Sequence, residues 1–282
     1  MVESLYIPIG DWVDSGVEWL TVNVQWLFQG ISTVLGALID TLEGALQWPP
    51  ALAMAVALAL IATLVRNWRF GTFTFLAFTL IATMDMWGEA MSTLSLVLVA
   101  SLVAALIGLP LGILAARRSG FSALIRPLLD FMQTMPSFVY LIPAIIFFGI
   151  GKVPGVVATV VFSMPPAVRL TELGLRQVDS EVIEAGEAFG ASPRKILTQI
   201  QIPLALPTIM AGVNQVIMLA LSMVVISGIV GAGGLGAVVF RGVTRLDVGL
   251  GFEGGLSVVI LAIFLDRITS AFGERASKRT SR

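Results

Sequence analysis

The chain has 282 residues, of which 57% are hydrophobic and 12% charged, with a net charge of −1 and a mean hydropathy of +0.94. Soluble domains carry about 25% charged residues, so a soluble fold is excluded. There is no Cys and no His, which removes disulfides, thiolate chemistry, Ser-His hydrolysis, His-ligated haem and the commonest zinc ligand.

No basic stretch precedes a short apolar run at the start, so no cleavable signal peptide is expected. Residues 1–47 contain six acids (Glu3, Asp11, Asp14, Glu18, Asp40, Glu43) and no Lys or Arg. Val13, Val17, Leu20, Val24, Leu27, Ile31, Leu35, Leu38 and Leu42 recur at helical spacing, flanked by Trp12, Trp19 and Trp26. The segment reads as one or two amphipathic helices on a membrane face, with packing on the protein's own bundle as the alternative.

Charge-free runs then cover 44–65, 70–84, 90–116, 131–151, 153–168, 196–240 and 254–265. A bilayer span needs about 20 mostly apolar residues. The expected fold is all-α and polytopic, with about seven transmembrane helices near 48–65, 70–87, 90–115, 132–150, 153–168, 203–228 and 250–267. Pro110, Pro136, Pro143, Pro165 and Pro166 should kink or end helices. With the C-terminus inside, 14 of the 17 basic residues lie inside, and Lys152, Arg241 and Arg245 lie outside. The positive-inside rule therefore predicts an outer N-terminus and a cytoplasmic C-terminus.

The longest inner polar segment is 169–202, and such a loop among short turns is usually functional. Val178, Val182, Ala185 and Phe189 are expected on one helical face, with Asp179, Glu181, Glu184 and Glu187 supplying acids from the helix start onward. Gly190 is expected to stop that helix, Ser192 to cap a second one, and Pro193 to open it. Arg194 and Lys195 follow, and Pro203 joins the second helix to the next span. The prediction is a helix–turn–helix knuckle.

Here the chain resembles a known family. Glu184-Ala185-Gly186, three residues, Gly190, nine residues and Ile200-Gln201-Ile202-Pro203 are similar to the EAA signature of type I ABC-importer permeases, with Gly186 in place of the second Ala and Ile202 in place of Leu. Further stretches, Gln133-Thr134-Met135-Pro136-Ser137, Met164-Pro165-Pro166, Ala220–Ile226 and Gly233–Gly236, resemble the glycine betaine/proline branch. The resemblance implies a knuckle docking into a separate ATPase subunit, with Glu184, Ala185, Gly186, Gly190, Ser192, Arg194, Lys195, Ile200 and Pro203 as its residues. It implies two permease copies, most simply identical, two ATP-binding subunits inside and a substrate-binding protein outside. It implies no cofactor in this chain, ATP and Mg being held by the partner, and a place in the cytoplasmic (inner) membrane. No nucleic-acid partner is expected.

Other residues carry weaker signals. Asn214, Met218 and Ser222 share one face of the sixth span, and with Met135 and Pro136 are candidates for the translocation path; interhelical hydrogen bonding is the alternative. Phe138, Tyr140, Phe147 and Phe148 cluster without forming an obvious cage for a quaternary ammonium group. Gly233 and Gly234, with Arg241, Arg245 and Asp247, are candidates for an outer mouth that meets the binding protein; solvated loop charges are the alternative. No phosphate-binding loop occurs in the sequence. An ion-coupled secondary transporter of small zwitterions is the alternative function, disfavoured because the middles of the expected spans lack Asp, Glu, Lys and Arg. A membrane enzyme is left few chemistries without His and Cys, and a channel or scaffold does not call for the coupling signature. The expected organisation is an interfacial segment 1–47, a peripheral helix pair 48–88, a permease core 89–270 and a basic cytoplasmic tail 271–282.

Overall fold

The computed structural model describes residues 8–280, and all regular elements among them are helical. Glu3 and Arg282, and the side chains of Arg275, Lys278 and Arg279, lie outside the described residues. In chain order come α1 (Ile9–Asn23), α2 (Gln25–Gln47), α3 (Ala51–Val65), α4 (Trp68–Thr83), α5 (Trp87–Arg117), α6 (Ser119–Thr134) and α7 (Leu141–Phe148). They are followed by α8 (Lys152–Arg176), α9 (Ser180–Ala188), α10 (Pro193–Lys195), α11 (Ile202–Ser227), α12 (Gly234–Arg245) and α13 (Val248–Thr280).

Of the two readings of the N-terminal segment, α2 takes the second. It packs on the bundle, burying Leu35 and Ile39, with Ile31, Leu42 and Leu46 against the same core. Lys152 holds it with Nζ 2.7 Å from Glu43 and 3.3 Å from Asp40. Phe28 stacks on Phe147 at 4.4 Å and meets the edge of Phe148 at 5.5 Å. The expected stripe is rotated slightly, because Ile39 is buried while Leu38 faces out. α1 turns away at 75° and leaves Trp12 and Trp19 exposed.

By length and composition, four helices among the described residues can cross a bilayer: Trp87–Arg117, Lys152–Arg176, Pro193–Val230 and Val248–Glu274. The number rises to six if α1–α2 and α6–α7 each count as one bent span. The expected spans at 48–65 and 70–87 differ from what forms. α3 and α4 have 15 and 16 residues, which at 1.5 Å per residue fall short of a hydrocarbon core of about 30 Å. They pair as a hairpin because Asn67 caps α4, its side chain accepting from Phe70 N at 2.9 Å.

The expected single span at 132–150 is not formed either. The chain breaks at Met135-Pro136 and bends by 108° between α6 and the helix that follows. Proline disfavours the helical conformation of Met135, which is extended at φ −67° and ψ 135°. Pro136 also has no N–H for the carbonyl of Met132 four residues back. The Tyr140 hydroxyl donates to that carbonyl instead, so the break is closed from its far side. Pro110, Pro165 and Pro166, by contrast, stay inside long helices.

α5, α8 and α11 form the centre, and small residues set their spacing. A Cβ on Gly108 would lie 2.7 Å from Ala167 Cβ, and one on Gly112 would lie 2.6 Å from both Thr171 Cβ and Val168 O. On α11, Gly212 approaches Leu170 in the same way, at 3.0 Å. Without a hydrophobic drive between helices in lipid, such close approach supplies the packing energy. Gly112→Val should therefore push α5 off α8 at backbone level. The expected destabilisation is about 3 kcal/mol, the upper end of ordinary overpacking. It would be read as loss of monodisperse protein in detergent, with Gly255→Ala, where a Cβ meets nothing within 4 Å, as the unaffected control.

Candidate functional site

α5 and α8 end in Arg117 and Arg176, and there the segment after α8 folds back through α10, with Arg194 and Lys195, as a knuckle. α8 continues to Arg176, so Arg169, Glu172 and Arg176 belong to that helix, and the polar segment outside it begins at Gln177. Asp179 opens α9 by accepting from Glu181 N at 2.9 Å. Gly190 ends it at φ +77°. Gly190 N donates to Glu187 O at 2.8 Å and Ala191 N to Gly186 O at 3.0 Å, the two bonds of a Schellman stop. Ser192 then sits before Pro193 at the first helical position, although its side chain makes no capping bond. The second arm is not a separate short helix as expected. α10 runs through a π-helical stretch, Ile196–Gln201, straight into α11. Pro203 cannot donate to Gln199 O, and the widened turn just before it absorbs that missing bond.

The two arms close through small residues. A Cβ on Gly186 would lie 2.8 Å from Ile200 Cδ1, the flexible tip of its side chain. Gly186→Ala should therefore be accommodated by a small rotation of Ile200, costing less than about 1 kcal/mol. Unchanged thermal unfolding and transport would check this. Of the face shared by Val178, Val182, Ala185 and Phe189, Val178 packs against the cluster around Leu175 and the rest points out. Val182, Ala185 and Phe189 are exposed, and Phe189 at 93% is the most exposed large apolar side chain among the described residues. Ile183 and Gly186 face inward instead. Glu184, Arg194 and Lys195 are exposed and make no ion pair among the described residues. Pro203 is exposed on the arm that enters α11. The knuckle thus offers an apolar patch with a free charged rim.

Sequence reasoning missed what lies behind it. Glu172 is 4% exposed. Its Oε1 accepts from Ser122 Oγ at 2.7 Å and Arg126 Nη2 at 2.9 Å, and lies 3.0 Å from Arg176 Nη2. Arg176 Nη2 also reaches Ala115 O at 3.0 Å, and Arg169 pairs with Asp130. The only signal in the sequence was an acid four residues before an arginine, too common to single out.

The path candidates divide. Met135 packs against the cluster that contains Met223 and Tyr140, while Pro136 makes the break beside it. Asn214 takes the interhelical alternative, its Nδ2 donating to Asp266 Oδ1 of α13 at 2.9 Å. Met218 and Ser222 remain exposed on α11, Ser222 bonding back to Met218 O at 3.1 Å. Gln215 shares that exposed face and was overlooked; being polar inside an apolar run, it was legible.

At the opposite end, Gly233 and Gly234 hold φ +81° and +63°. Gly234 lies against Thr93, whose Oγ1 accepts from Leu235 N at 2.8 Å, so this turn is pinned to α5. Asp247 has a local task, accepting from Leu250 N at 3.0 Å at the start of α13. Arg241 reaches Ala237 O of its own helix, and Arg245 is exposed.

Residues 108–281 match the family described as the binding-protein-dependent transport system inner membrane component. The chain is 48% identical to the glycine betaine/proline betaine transport system permease protein ProW of Escherichia coli K12, over 98% of this chain and 78% of that protein. It is 46% identical to the glycine betaine/carnitine transport permease protein GbuB of Listeria monocytogenes serotype 1/2a, over 96% and 97%. It is 45% identical to the glycine betaine transport system permease protein OpuAB of Bacillus subtilis 168, over 93% of each. Among solved structures it is similar in fold to an inward-facing MetNI methionine ABC transporter, with a TM-score of 0.59 at 23% identity, covering 70% of this chain and 96% of that one.

Proposed function

The chain belongs to the family of binding-protein-dependent transport system inner membrane components, the membrane-spanning permeases of ABC importers, and from that premise we propose that it carries glycine betaine or a close chemical relative. Proline, choline and carnitine are the nearest alternatives in size and charge. The names of its relatives support this substrate class. The basic end faces the cytoplasm, in keeping with the positive-inside rule. ATP is hydrolysed by separate subunits, and two copies of the permease enclose the path. A binding protein delivers the solute at the outer end, where exposed Arg241 and Arg245 stand ready for acidic partners.

The observation that carries the coupling role is the outward apolar face of α9, rimmed by Glu184, Arg194 and Lys195. An exposed aromatic on a stopped, short helix is the form of an anchor that fills a pocket on a partner. No residue of α9 is buried, so that face is left uncovered among the described residues.

The test is uptake of labelled glycine betaine into vesicles holding the full complex of permease, ATP-binding subunit and binding protein. ATP-dependent accumulation is expected, with competition by the chemical relatives. Accumulation driven by an ion gradient without ATP would replace this reading with a secondary transporter.

A further inference from the structure

We propose that Glu172 is a positioning residue for coupling: it locks α6 to the knuckle end of α8, so that movement of the knuckle is carried to the break at Pro136. The proposal rests on the importer reading and adds a residue to it. α9 begins at Ser180, shortly after α8 ends at Arg176. Whatever moves the knuckle therefore acts first on that end of α8.

Ser122, Arg126 and Asp130 recur every four residues, so they share one face of α6. Their partners run the opposite way along α8: Ser122 and Arg126 meet Glu172, and Asp130 meets Arg169. This is an antiparallel polar zipper. Arg176 adds the third helix, bonding Ala115 O among the last carbonyls of α5, which lack partners within the helix. One buried carboxylate therefore gathers α5, α6 and α8 at a single point.

Charge matters here for register. Withdrawing any of its charged donors would leave the buried Glu172 carboxylate unpaired, which is costly. Charge-assisted bonds are directional, so sliding either helix by one turn breaks the set. The contacts of α8 with α11 lack that constraint: Gly174 lies over Thr208 and Ala205 by close van der Waals approach. α6 is thus bound to α8 in one register, and its far end leads into Met135 and Pro136, where the chain bends by 108°.

The experiment uses the complete complex in vesicles and reads solute imported per ATP hydrolysed. Glu172→Gln keeps size and removes charge. Import per ATP should fall at least about tenfold while hydrolysis persists, because a small misplacement away from the working site is costly. Glu172→Asp keeps the charge and should recover most of the loss. A purely structural role would lower import and hydrolysis together and leave their ratio unchanged, and that result overturns the proposal. If Glu172→Gln does not assemble, Arg126→Gln decides instead. The Arg126 side chain is 58% exposed, so this variant should fold and show a smaller fall in the ratio. An unchanged ratio there also overturns the proposal. A wild-type complex that neither hydrolyses ATP in response to glycine betaine nor imports it would contradict the importer reading, whereas a coupled wild type with an equally coupled Glu172→Gln contradicts this proposal alone.

Discussion

Phe189→Asp should weaken binding of the ATP-binding subunit at least about 100-fold while leaving the permease folded, since an aromatic anchor is worth about 2–4 kcal/mol and a carboxylate left in its pocket costs more. Phe189 is 93% exposed and touches no core cluster. A change at such a site normally alters stability by within about 0.5 kcal/mol. The two quantities therefore separate cleanly. Affinity of detergent-purified permease for the isolated ATP-binding subunit measures the first, and thermal unfolding of the permease alone measures the second. Equal affinity for the variant and the parent would remove Phe189 from the interface.

Gly190→Pro should lower ATP-driven import at least about 100-fold with the chain still inserted, because a misplaced contact element loses its geometry rather than its chemistry. The residue stands at φ +77°, which proline, fixed near about −65°, does not reach. The substitution also deletes the N–H that bonds Glu187 O, so the Schellman stop is lost and Phe189 loses its direction. The bundle should hold, because α9 buries no residue. Gly190→Ala meets only the left-handed strain of about 1–2 kcal/mol, with nothing within 4 Å of its Cβ, and should retain a large part of the activity. Import by both variants, normalised to inserted protein, checks the order. Wild-type import by Gly190→Pro would show that the knuckle does not transmit force.

Gly190 was legible in the sequence because local rules govern it. A glycine stop, a proline opening and acids early in a helix act within a few residues, and Asp179, Gly190 and Pro193 obey them in the structure. The outward turn of Phe189 was not legible. Periodicity locates an apolar face without saying whether the protein's own core or another subunit will cover it. Long-range partners were hidden for a related reason. Nothing near Glu43 predicts Lys152, and nothing near Asn214 predicts Asp266. The Glu172 cluster joins residues about fifty positions apart through a helix that was expected to end at 168. Hydropathy did find the long apolar helices α5, α8, α11 and α13. The expected spans at 48–65 and 70–87 take form as the shorter helices α3 and α4, and the expected span at 132–150 is interrupted at Pro136, a residue expected to kink or end a helix.

The central claim is that this permease joins ATP hydrolysis to import through its knuckle. The most direct measurement is ATP hydrolysis by the reconstituted complex, with the binding protein empty or loaded with glycine betaine, for the parent and for Glu184→Arg. Stimulation by the loaded binding protein that disappears in the variant is the predicted result. Stimulation that is the same in both would remove the knuckle from coupling, and hydrolysis indifferent to the permease and to the binding protein would contradict the account as a whole.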